Sequence, residues 1–445
     1  MSQVKTTYGI VEGVDQGACR VFWGIPYAKP PVGQLRWRSP QPPEPWEGVY
    51  HAGRMPHRSM QETDRPMAFY DREFYDEPAY LTPVSEDSLY LNIWTPRDSQ
   101  DKQLPVALWI HGGAFMGGFG HEKEFDGAGY CRRGVILVTI NYRLGVMGFL
   151  AHPWLSRESE TGVSGNYGIL DQIAALKWVR DNIAAFGGDP DRITVFGQSA
   201  GCMSVQTLVS SPLTRGMISG AILQSGVGLS YDHPLAKAEQ EGEELARNAG
   251  VNSLEKLRRL PFEALMAAAG PILMRGFATM ELMFTPVIDG LVLTEGYNSC
   301  LDQGRIHPIP YLVGSTKNDI AVDPQQLAQG DRGKAYQGCD RWCQALLDNG
   351  MEPAYRYYFV RQLPGDDAGA FHSSELWYTF GTYGRCWRPF GPEDEALSEQ
   401  MMDYWANFMK TGDPNGPGLP RWEGYRSPAD LRIFDVPTRQ QEEMT

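Results

Sequence analysis

Short, nearly continuous apolar runs alternate with longer segments of helical periodicity from residue 89 onward. Such runs are typical of strands that are buried on both faces of a sheet. The predicted strands are Leu89–Trp94, Pro105–Ile110, Val135–Ile140, Ile193–Phe196, Ala221–Leu223 and Tyr311–Val313. The predicted helices are Tyr167–Phe186, Leu235–Asn248, Leu254–Ala268 and Asp394–Lys410. This alternation predicts an α/β fold with a mostly parallel central sheet flanked by helices.

The N-terminal segment has a different pattern. Tyr8–Val11 and Ala18–Trp23 are β-rich runs separated by Gly and Asp, which predicts a small N-terminal hairpin region. The Pro-rich stretch 26–45 then predicts an ordered surface loop. A length of 445 residues suggests three domains at about 150 residues each. Because the chain has no internal repeat and no linker, we instead expect one domain over residues 1–445.

Charge and hydropathy restrict the partners. The chain carries 40 Lys and Arg against 54 Asp and Glu, a formal net charge of −14. An acidic surface repels phosphate backbones, and no Lys/Arg run forms a basic patch, so nucleic acid is not an expected partner. The longest apolar stretches fall far short of the ~20 residues that span a bilayer, so no membrane partner is predicted.

The cysteines and the N terminus indicate a compartment. Seven cysteines are scattered along the chain, and no second pair or nearby His completes a zinc site around Cys339 and Cys343. The N-terminal sequence MSQVKTTYGIVEG has no apolar run behind its lysine, unlike a secretory signal peptide. We therefore expect free thiols and a cytoplasmic location.

The strongest local motif is a G-x-S-x-G at residues 197–201, with Ser199 at its centre. It follows the predicted strand Ile193–Phe196 and precedes a helical run. In such a turn the serine sits in a strained strand-to-helix corner, and small neighbours avoid a clash. The helix N terminus offers free N–H groups where negative charge develops. The bare motif arises by chance in Gly-rich chains, but this context favours a catalytic serine.

A second motif, His-Gly-Gly-Ala-Phe at residues 111–115, directly follows another predicted strand. Small residues let backbone N–H groups turn inward toward an oxyanion. Alone, the segment fits a tight glycine turn equally well. Together with the serine turn, it predicts an oxyanion hole.

A nucleophilic serine needs a base, and the base needs an orienting acid. In folds with this turn the chain order is serine, acid, histidine. Of the eight histidines, His233, His307 and His372 follow the serine. His233 and His307 each precede a proline in a loop-like segment, which favours structural roles.

The acid is expected just past a later strand. Asp319 follows Tyr311–Val313, and Asp323 is a weaker rival. Only His372 lies beyond Asp319, so chain order assembles Ser199, Asp319 and His372. From spacing alone, a surface carboxylate explains Asp319 nearly as well.

Other chemistries leave no motif in the sequence. It contains no H-E-x-x-H, no P-loop and no G-x-G-x-x-G after a strand. Residues 187–191, Gly-Gly-Asp-Pro-Asp, could suggest a calcium loop, but a turn that closes the preceding helix is favoured. No metal and no cofactor are predicted.

With further blocks in the same order, these motifs resemble the type-B carboxylesterase family of α/β-hydrolases, which includes cholinesterases and bacterial p-nitrobenzyl esterases. The further blocks are residues 22–33 (FWGIPYAKPPVG), 85–92 (SEDSLYLN), 141–145 (NYRLG), 186–190 (FGGDP), 286–290 (PVIDG), 405–408 (WANF) and 411–415 (TGDPN). The resemblance covers nearly the whole chain. It implies the α/β-hydrolase fold and cofactor-free hydrolysis of carboxylic esters.

The resemblance also implies roles for individual residues. The nucleophile, acid and base are Ser199, Asp319 and His372. The N–H groups of the oxyanion hole come from Gly113, Ala114 and Ala200, and Ser225 is a second serine near the acid. Two structural ion pairs are implied, Arg36 with Glu86 and Arg143 with Asp171.

Three departures from the family pattern bear on the site. Ser88 stands where secreted members have a disulfide cysteine, and Gln198 replaces the glutamate usual before the nucleophile. His372 lies only 53 positions after Asp319, so the stretch that normally builds gorge walls is missing. We expect a more open site.

The expected substrates are small to medium uncharged carboxyl esters, and the expected state is a monomer or homodimer. The aromatic residues expected near the site are Phe115, Trp377, Tyr378, Phe380 and Tyr383. We expect some of them to line the substrate pocket and at least half to pack in the core.

Two other functions remain open at this point. A catalytically dead binding module uses the same scaffold, although all three triad positions are intact here. A lipase would need a lid or an exposed apolar patch. Amides, carbamates and thioesters are chemically related substrates.

Overall fold

The computed structural model describes residues 3–63, 68–230, 232–320 and 322–436. In chain order, strands β1 to β15 are Gln3–Lys5, Ile10–Glu12, Val14–Gln16, Cys19–Pro26, Val49–His51, Arg58–Ser59, Val84–Ser85, Tyr90–Pro96, Leu104–Ile110, Ile136–Ile140, Gly188–Gln198, Gly220–Gln224, Tyr311–Thr316, Tyr355–Phe359 and Arg432–Phe434. Helices α1 to α14 are Ala68–Phe74, Ala128–Arg132, Gly145–Phe149, Pro153–Glu158, Tyr167–Asn182, Ala200–Ser210, Leu235–Asn248, Leu254–Arg258, Phe262–Thr279, Tyr297–Asp302, Pro324–Ala328, Gly333–Asp348, Leu376–Thr379 and Pro392–Thr411. Short 3₁₀ helices cover Gly33–Leu35, Pro78–Tyr80, Ile183–Phe186, Pro212–Thr214 and Tyr383–Arg385.

Within these residues, one large sheet has the order β15-β14-β13-β12-β11-β9-β10-β8-β4-β3. Strands β9 to β15 run parallel to their neighbours, whereas β8, β4 and β3 add an antiparallel edge. The carboxyl ends of the parallel strands therefore meet at one edge of the sheet, where loops from distant parts of the sequence converge.

Strand β9 shows why the apolar runs are continuous. Val106, Leu108 and Ile110 belong to the core on the side of α5 and α6, whereas Ala107 and Trp109 belong to the core on the side of α14. All five side chains are fully buried. Because successive side chains of a strand point to opposite faces, a strand covered by helices on both sides must be apolar at every position. The predicted mostly parallel α/β sheet is confirmed.

The helix predictions needed one correction. The predicted helix Leu254–Ala268 is two helices, α8 and α9, because Pro261 precedes Phe262 at the start of α9. Proline disfavours the helical conformation of the residue before it, so a helix ends there and a new one begins. The predicted Tyr167–Phe186 is α5 plus a 3₁₀ turn, closed by Gly187 with φ 86°.

The N-terminal runs lie in two different hairpins. Ile10–Glu12 pairs with β1 and β5 in a separate small sheet. Cys19–Pro26 instead pairs with β3 and with β8, at the antiparallel edge of the large sheet. In the loop that follows, Trp37 is buried and its indole N–H donates to the Val146 carbonyl at 2.8 Å. This loop is packed against the α/β core, as expected for an ordered segment.

Both ion pairs implied by the resemblance form. Arg36 Nε lies 2.8 Å from Glu86 Oε2. Arg143 binds Asp171 through two parallel contacts of 2.8 and 2.7 Å, and neither side chain is more than 5% exposed. The main-chain N–H of Arg143 also donates to Asp171, at 3.0 Å. These charges hold α5 to the segment that follows β10. In the described part of the chain, no helix is long and apolar enough to cross a bilayer.

Breaking the buried pair should destabilise the fold. Asp171→Asn leaves the Arg143 guanidinium buried without a counter-charge, and we expect a loss of about 3–5 kcal/mol in the free energy of unfolding. Urea unfolding followed by tryptophan fluorescence measures it. The control is Glu255→Gln, in an ion pair whose partners are 76% and 66% exposed, where the loss should stay below about 1 kcal/mol. Equal losses in both variants would contradict a structural role for the buried pair.

Candidate active site

Ser199 occupies a strained turn between β11 and α6. Its backbone angles, φ 58° and ψ −125°, are rare for a residue with a side chain. Its N–H donates to the Gln224 carbonyl of the neighbouring strand at 3.0 Å. A Cβ on Gly201 would lie 2.0 Å from the Ile110 carbonyl oxygen, and one on Gly197 would lie 2.5 Å from Gly201. The flanking glycines are therefore required by the close approach of this turn to the end of β9.

The loop after β9 runs beside the same turn. Gly113, Ala114 and Phe115 have φ of 95°, 55° and 58°, so three consecutive residues have left-handed backbone conformations. The Gly113 carbonyl of this loop is occupied, since it accepts from the N–H groups of Met116, at 2.9 Å, and Gly117, at 3.0 Å. Within the described residues, the N–H groups of Gly113, Ala114 and Ala200 donate to no other protein group. Three backbone donors are thus available beside Ser199, as an oxyanion hole requires.

Side-chain contacts hold this loop in place. Gln61 makes two contacts of 3.1 Å with Gly118, one to its carbonyl and one from its N–H. Tyr142 donates to the His111 carbonyl at 3.0 Å and stacks on the imidazole. Burial lowers the pKa of His111 to about 4, so this histidine is neutral near pH 7.

Asp319 and His372 meet at the carboxyl end of β13. Asp319 Oδ1 lies 2.5 Å from His372 Nδ1. The two loops are joined by their backbones, because the Asn318 N–H donates to the Ala370 carbonyl at 2.9 Å. Asp319 also accepts hydrogen bonds from the N–H groups of Thr316, at 3.1 Å, and Ile320, at 2.8 Å.

Asp319 is ionised despite its burial. Burial alone would raise the pKa of this carboxyl, but the charge of His372 and the surrounding hydrogen-bond donors outweigh it and lower the pKa. Ser225, fully buried, is one of the groups that favour the charged carboxylate, although its hydroxyl forms no hydrogen bond of normal geometry. The pair can hold one imidazole tautomer with Nδ1 protonated.

The comparisons with known proteins identify the family. A family model described as the carboxylesterase family matches residues 1–338 and 334–445. The fumonisin B1 esterase of Sphingopyxis macrogoltabida is 34% identical over 480 residues, which cover 96% of this chain and 85% of that protein. The para-nitrobenzyl esterase of Bacillus subtilis is 34% identical over 468 residues, which cover 95% of this chain and 92% of that protein. The solved structure of a thermophilic PNB esterase has a TM-score of 0.86 at 32% identity and covers 98% of this chain and 96% of that one.

The chain belongs to the carboxylesterase family. It has the α/β-hydrolase fold, and it is an enzyme that hydrolyses carboxylic esters. The family match breaks at residues 334–338, which lie in α12 between Asp319 and His372. A shortening of the chain between these two residues stays a prediction.

The rival residues occupy structural positions. His233 Nε2 lies 3.2 Å from Glu241, and His307 Nε2 lies 3.1 Å from the Ser211 carbonyl. Asp323 is exposed and accepts from the Gln325 N–H at 2.7 Å at the start of α11. In the part of the chain that the structure describes, none of the three side chains hydrogen-bonds to Asp319 or His372. Residues 187–191 form a turn and the start of β11, and the described residues contain no cluster of three or more His, Cys, Asp or Glu side chains that could hold a metal.

Of the five aromatic residues expected near the site, four are buried in the core, in line with the expectation that at least half would be. Trp377, Tyr378 and Phe380 are at most 1% exposed and lie in the core. Their polar atoms and rings are already engaged: the Trp377 indole donates to Glu73 at 3.0 Å and the Tyr378 hydroxyl to Asp394. Phe380 packs on Trp109 and its neighbours. The ring of Phe115 is likewise buried, against Phe149. Tyr383 is half-buried and packs on Phe390.

Sequence reasoning missed Glu375, which lies beneath the histidine. It is fully buried in α13's N-terminal turn, and neither carboxyl oxygen has a hydrogen-bond partner of normal geometry. Burial and the nearby Asp319 charge raise the pKa of Glu375 to about 7. The signal available in the sequence is that Glu375 follows His372 by three residues, a spacing that brings two side chains together in a helical turn. Helix α1 was also missed: it covers the histidine loop, and Tyr70 donates to the His372 carbonyl at 3.2 Å.

Glu375 should make stability depend on pH. The folded protein keeps this proton up to about pH 7, whereas the ordinary value of 4.5 applies to the unfolded chain. Since the folded state then binds more protons, stability falls as pH rises through this window. Glu375→Gln removes that contribution. From about pH 5 to about pH 8, the free energy of unfolding should fall in both proteins. The fall should be about 2–3 kcal/mol smaller in Glu375→Gln than in the unmodified protein.

Urea unfolding at both pH values measures this difference. The control is Glu263→Gln, an exposed carboxyl that should reproduce the unmodified pH dependence. If Glu375→Gln behaves like this control, the carboxyl is not held protonated in the folded protein.

Proposed function

We propose that this carboxylesterase cleaves small to medium uncharged carboxyl esters through Ser199, His372 and Asp319, by way of an acyl-enzyme. The observation that carries the proposal is the 2.5 Å contact between Asp319 Oδ1 and His372 Nδ1 at the strand ends beside the strained serine turn. The unused N–H groups of Gly113 and Ala114 in the neighbouring loop and of Ala200 at the start of α6 support it.

The acylation step follows from these positions. His372 Nε2 removes the Ser199 proton as Oγ attacks the ester carbonyl, and Asp319 stabilises the imidazolium that forms. The oxyanion develops against the N–H groups of Gly113 and Ala114 in one loop and Ala200 at the start of α6. Loss of one such donor typically raises the barrier by about 3–4 kcal/mol. The tetrahedral intermediate collapses as His372 protonates the leaving alcohol.

Deacylation reverses the same proton path. His372 removes a proton from water, the hydroxide adds to the acyl carbonyl, and Ser199 leaves with the returned proton. No cofactor takes part in this scheme. Gly113 is exposed and Ser199 half-buried, which supports an accessible site. The seven described cysteines are all free thiols, which supports the proposed cytoplasmic location.

Ser199→Ala should abolish turnover of p-nitrophenyl esters. We expect kcat to fall by about 10⁴- to 10⁶-fold, because the acyl-enzyme cannot form. The rates are measured over a series of acyl chain lengths, which also reveals the preferred acyl group. Ser210→Ala, at the other end of α6, is the control and should retain activity. Equal background rates for the unmodified protein and Ser199→Ala would contradict the serine mechanism and favour a binding module.

Asp319→Asn separates the acid from its rival. An amide at position 319 no longer fixes the productive tautomer of His372, and we expect kcat to fall by about 10⁴-fold with a smaller change in KM. The same change at the rival, Asp323→Asn, should leave kcat within about twofold, because this exposed carboxyl only caps α11. A larger loss in Asp323→Asn than in Asp319→Asn would reassign the acid.

A further inference from the structure

Gln198 contacts the reactive nitrogen of the histidine. It is the last residue of β11, its side chain is only 3% exposed, and its Nε2 lies 3.1 Å from His372 Nε2. A Cβ on Gly112 would lie 3.2 Å from Gln198 Oε1. The carboxamide thus lies between the histidine and the oxyanion loop.

The direction of this contact follows from the other ring nitrogen. Asp319 is ionised and accepts from His372 Nδ1, so in the neutral imidazole Nε2 carries the lone pair. Only a donor can satisfy that lone pair, and the amide N–H of Gln198 is a donor. A glutamate at this position, when ionised, could only accept.

Ser199 and Gln198 therefore compete for one acceptor. In the described part of the chain, Ser199 Oγ makes no hydrogen bond, to His372 or to any other group. The Nε2 lone pair that must take the serine proton instead accepts a hydrogen bond from the carboxamide of Gln198. For reaction, that contact must give way to the serine hydroxyl.

We propose that Gln198 is a positioning residue that occupies His372 Nε2 in the free enzyme and releases it to Ser199 when an ester fills the site. The proposal rests on the proposed function, since it needs Ser199 as the nucleophile. Substrate binding and exposure of the base are thereby coupled.

Gln198→Met tests the competition. Methionine has a similar length and cannot donate a hydrogen bond. The probe is a small p-nitrophenyl phosphonate: Ser199 Oγ bonds to phosphorus, p-nitrophenolate leaves, and the serine proton passes to His372. We expect the second-order inactivation rate to rise by about 3- to 10-fold, the factor that corresponds to one net hydrogen bond. Gln172→Met is the matched control, because Gln172 is a buried glutamine that bonds Ser204 instead of a histidine.

The pH profile of kcat/KM gives a second readout. In Gln198→Glu, a carboxylate beside the ring favours the imidazolium, so the lower inflection should move to higher pH than in the unmodified enzyme. The lower inflection of Gln198→Met should lie between those of the unmodified enzyme and Gln198→Glu. Asp319 and Glu375, which also face His372, are unchanged in both variants. Thermal unfolding midpoints verify that each variant is folded.

The outcomes distinguish a failure of the proposed function from a failure of the proposed role of Gln198. No labelling of the unmodified protein by the phosphonate would overturn the proposed function itself. Labelling that is unchanged or slower in Gln198→Met would overturn the role of Gln198 alone, since the amide would then be neutral or helpful to the base. The role of Gln198 is likewise overturned if the pH profiles of kcat/KM for the unmodified enzyme and Gln198→Met have the same lower inflection.

Discussion

The closest backbone approach at the site joins the serine turn to the end of β9. Gly201 packs so tightly on the Ile110 carbonyl that a single added carbon would lie 2.0 Å away. Ile110 leads directly into the loop that carries Gly113 and Ala114, and Gly201 stands two residues after Ser199. Ser199 and the N–H groups proposed for the oxyanion are thus fixed to each other by main chain. Their positions tolerate no reorganisation, which is the condition for preorganised electrostatic catalysis.

Asp319 and His372 reach this turn by a different route. They come from two loops separated by 53 positions, and a backbone contact at Asn318 sets their distance. The histidine loop is held from the other side by α1, where Glu73 accepts from the indole N–H groups of Trp377 and Trp387 at 3.0 Å. Shortening the chain between the two loops removes no part of these contacts. A more open site is therefore compatible with an intact acid–base pair.

The parts of the fold that follow from local sequence were predicted from it. Each of the six apolar runs lies in a strand of the large sheet, because burial on both faces leaves a continuous pattern. Strand β14 was missed because Arg356 interrupts its run, and that buried arginine is paired with Asp340 in α12 at 2.7 Å. Chain order also brought Asp319 and His372 together correctly in space. The packing of Trp377 could not be predicted, because its partner Glu73 lies 304 positions away.

The charges around His372 are consistent with the proposed neutral ester substrate despite the net charge of −14. The Asp319 carboxylate is satisfied by hydrogen bonds from the imidazole and from the N–H groups of Thr316 and Ile320. Glu375, with a pKa of about 7, is largely protonated below neutral pH, and position 198 carries an amide where a carboxylate would add a second fixed charge. A neutral substrate requires no counter-charge, and the developing oxyanion meets backbone dipoles without a competing carboxylate beside the base. Above neutral pH, ionised Glu375 adds a second negative charge close to the Asp319 carboxylate.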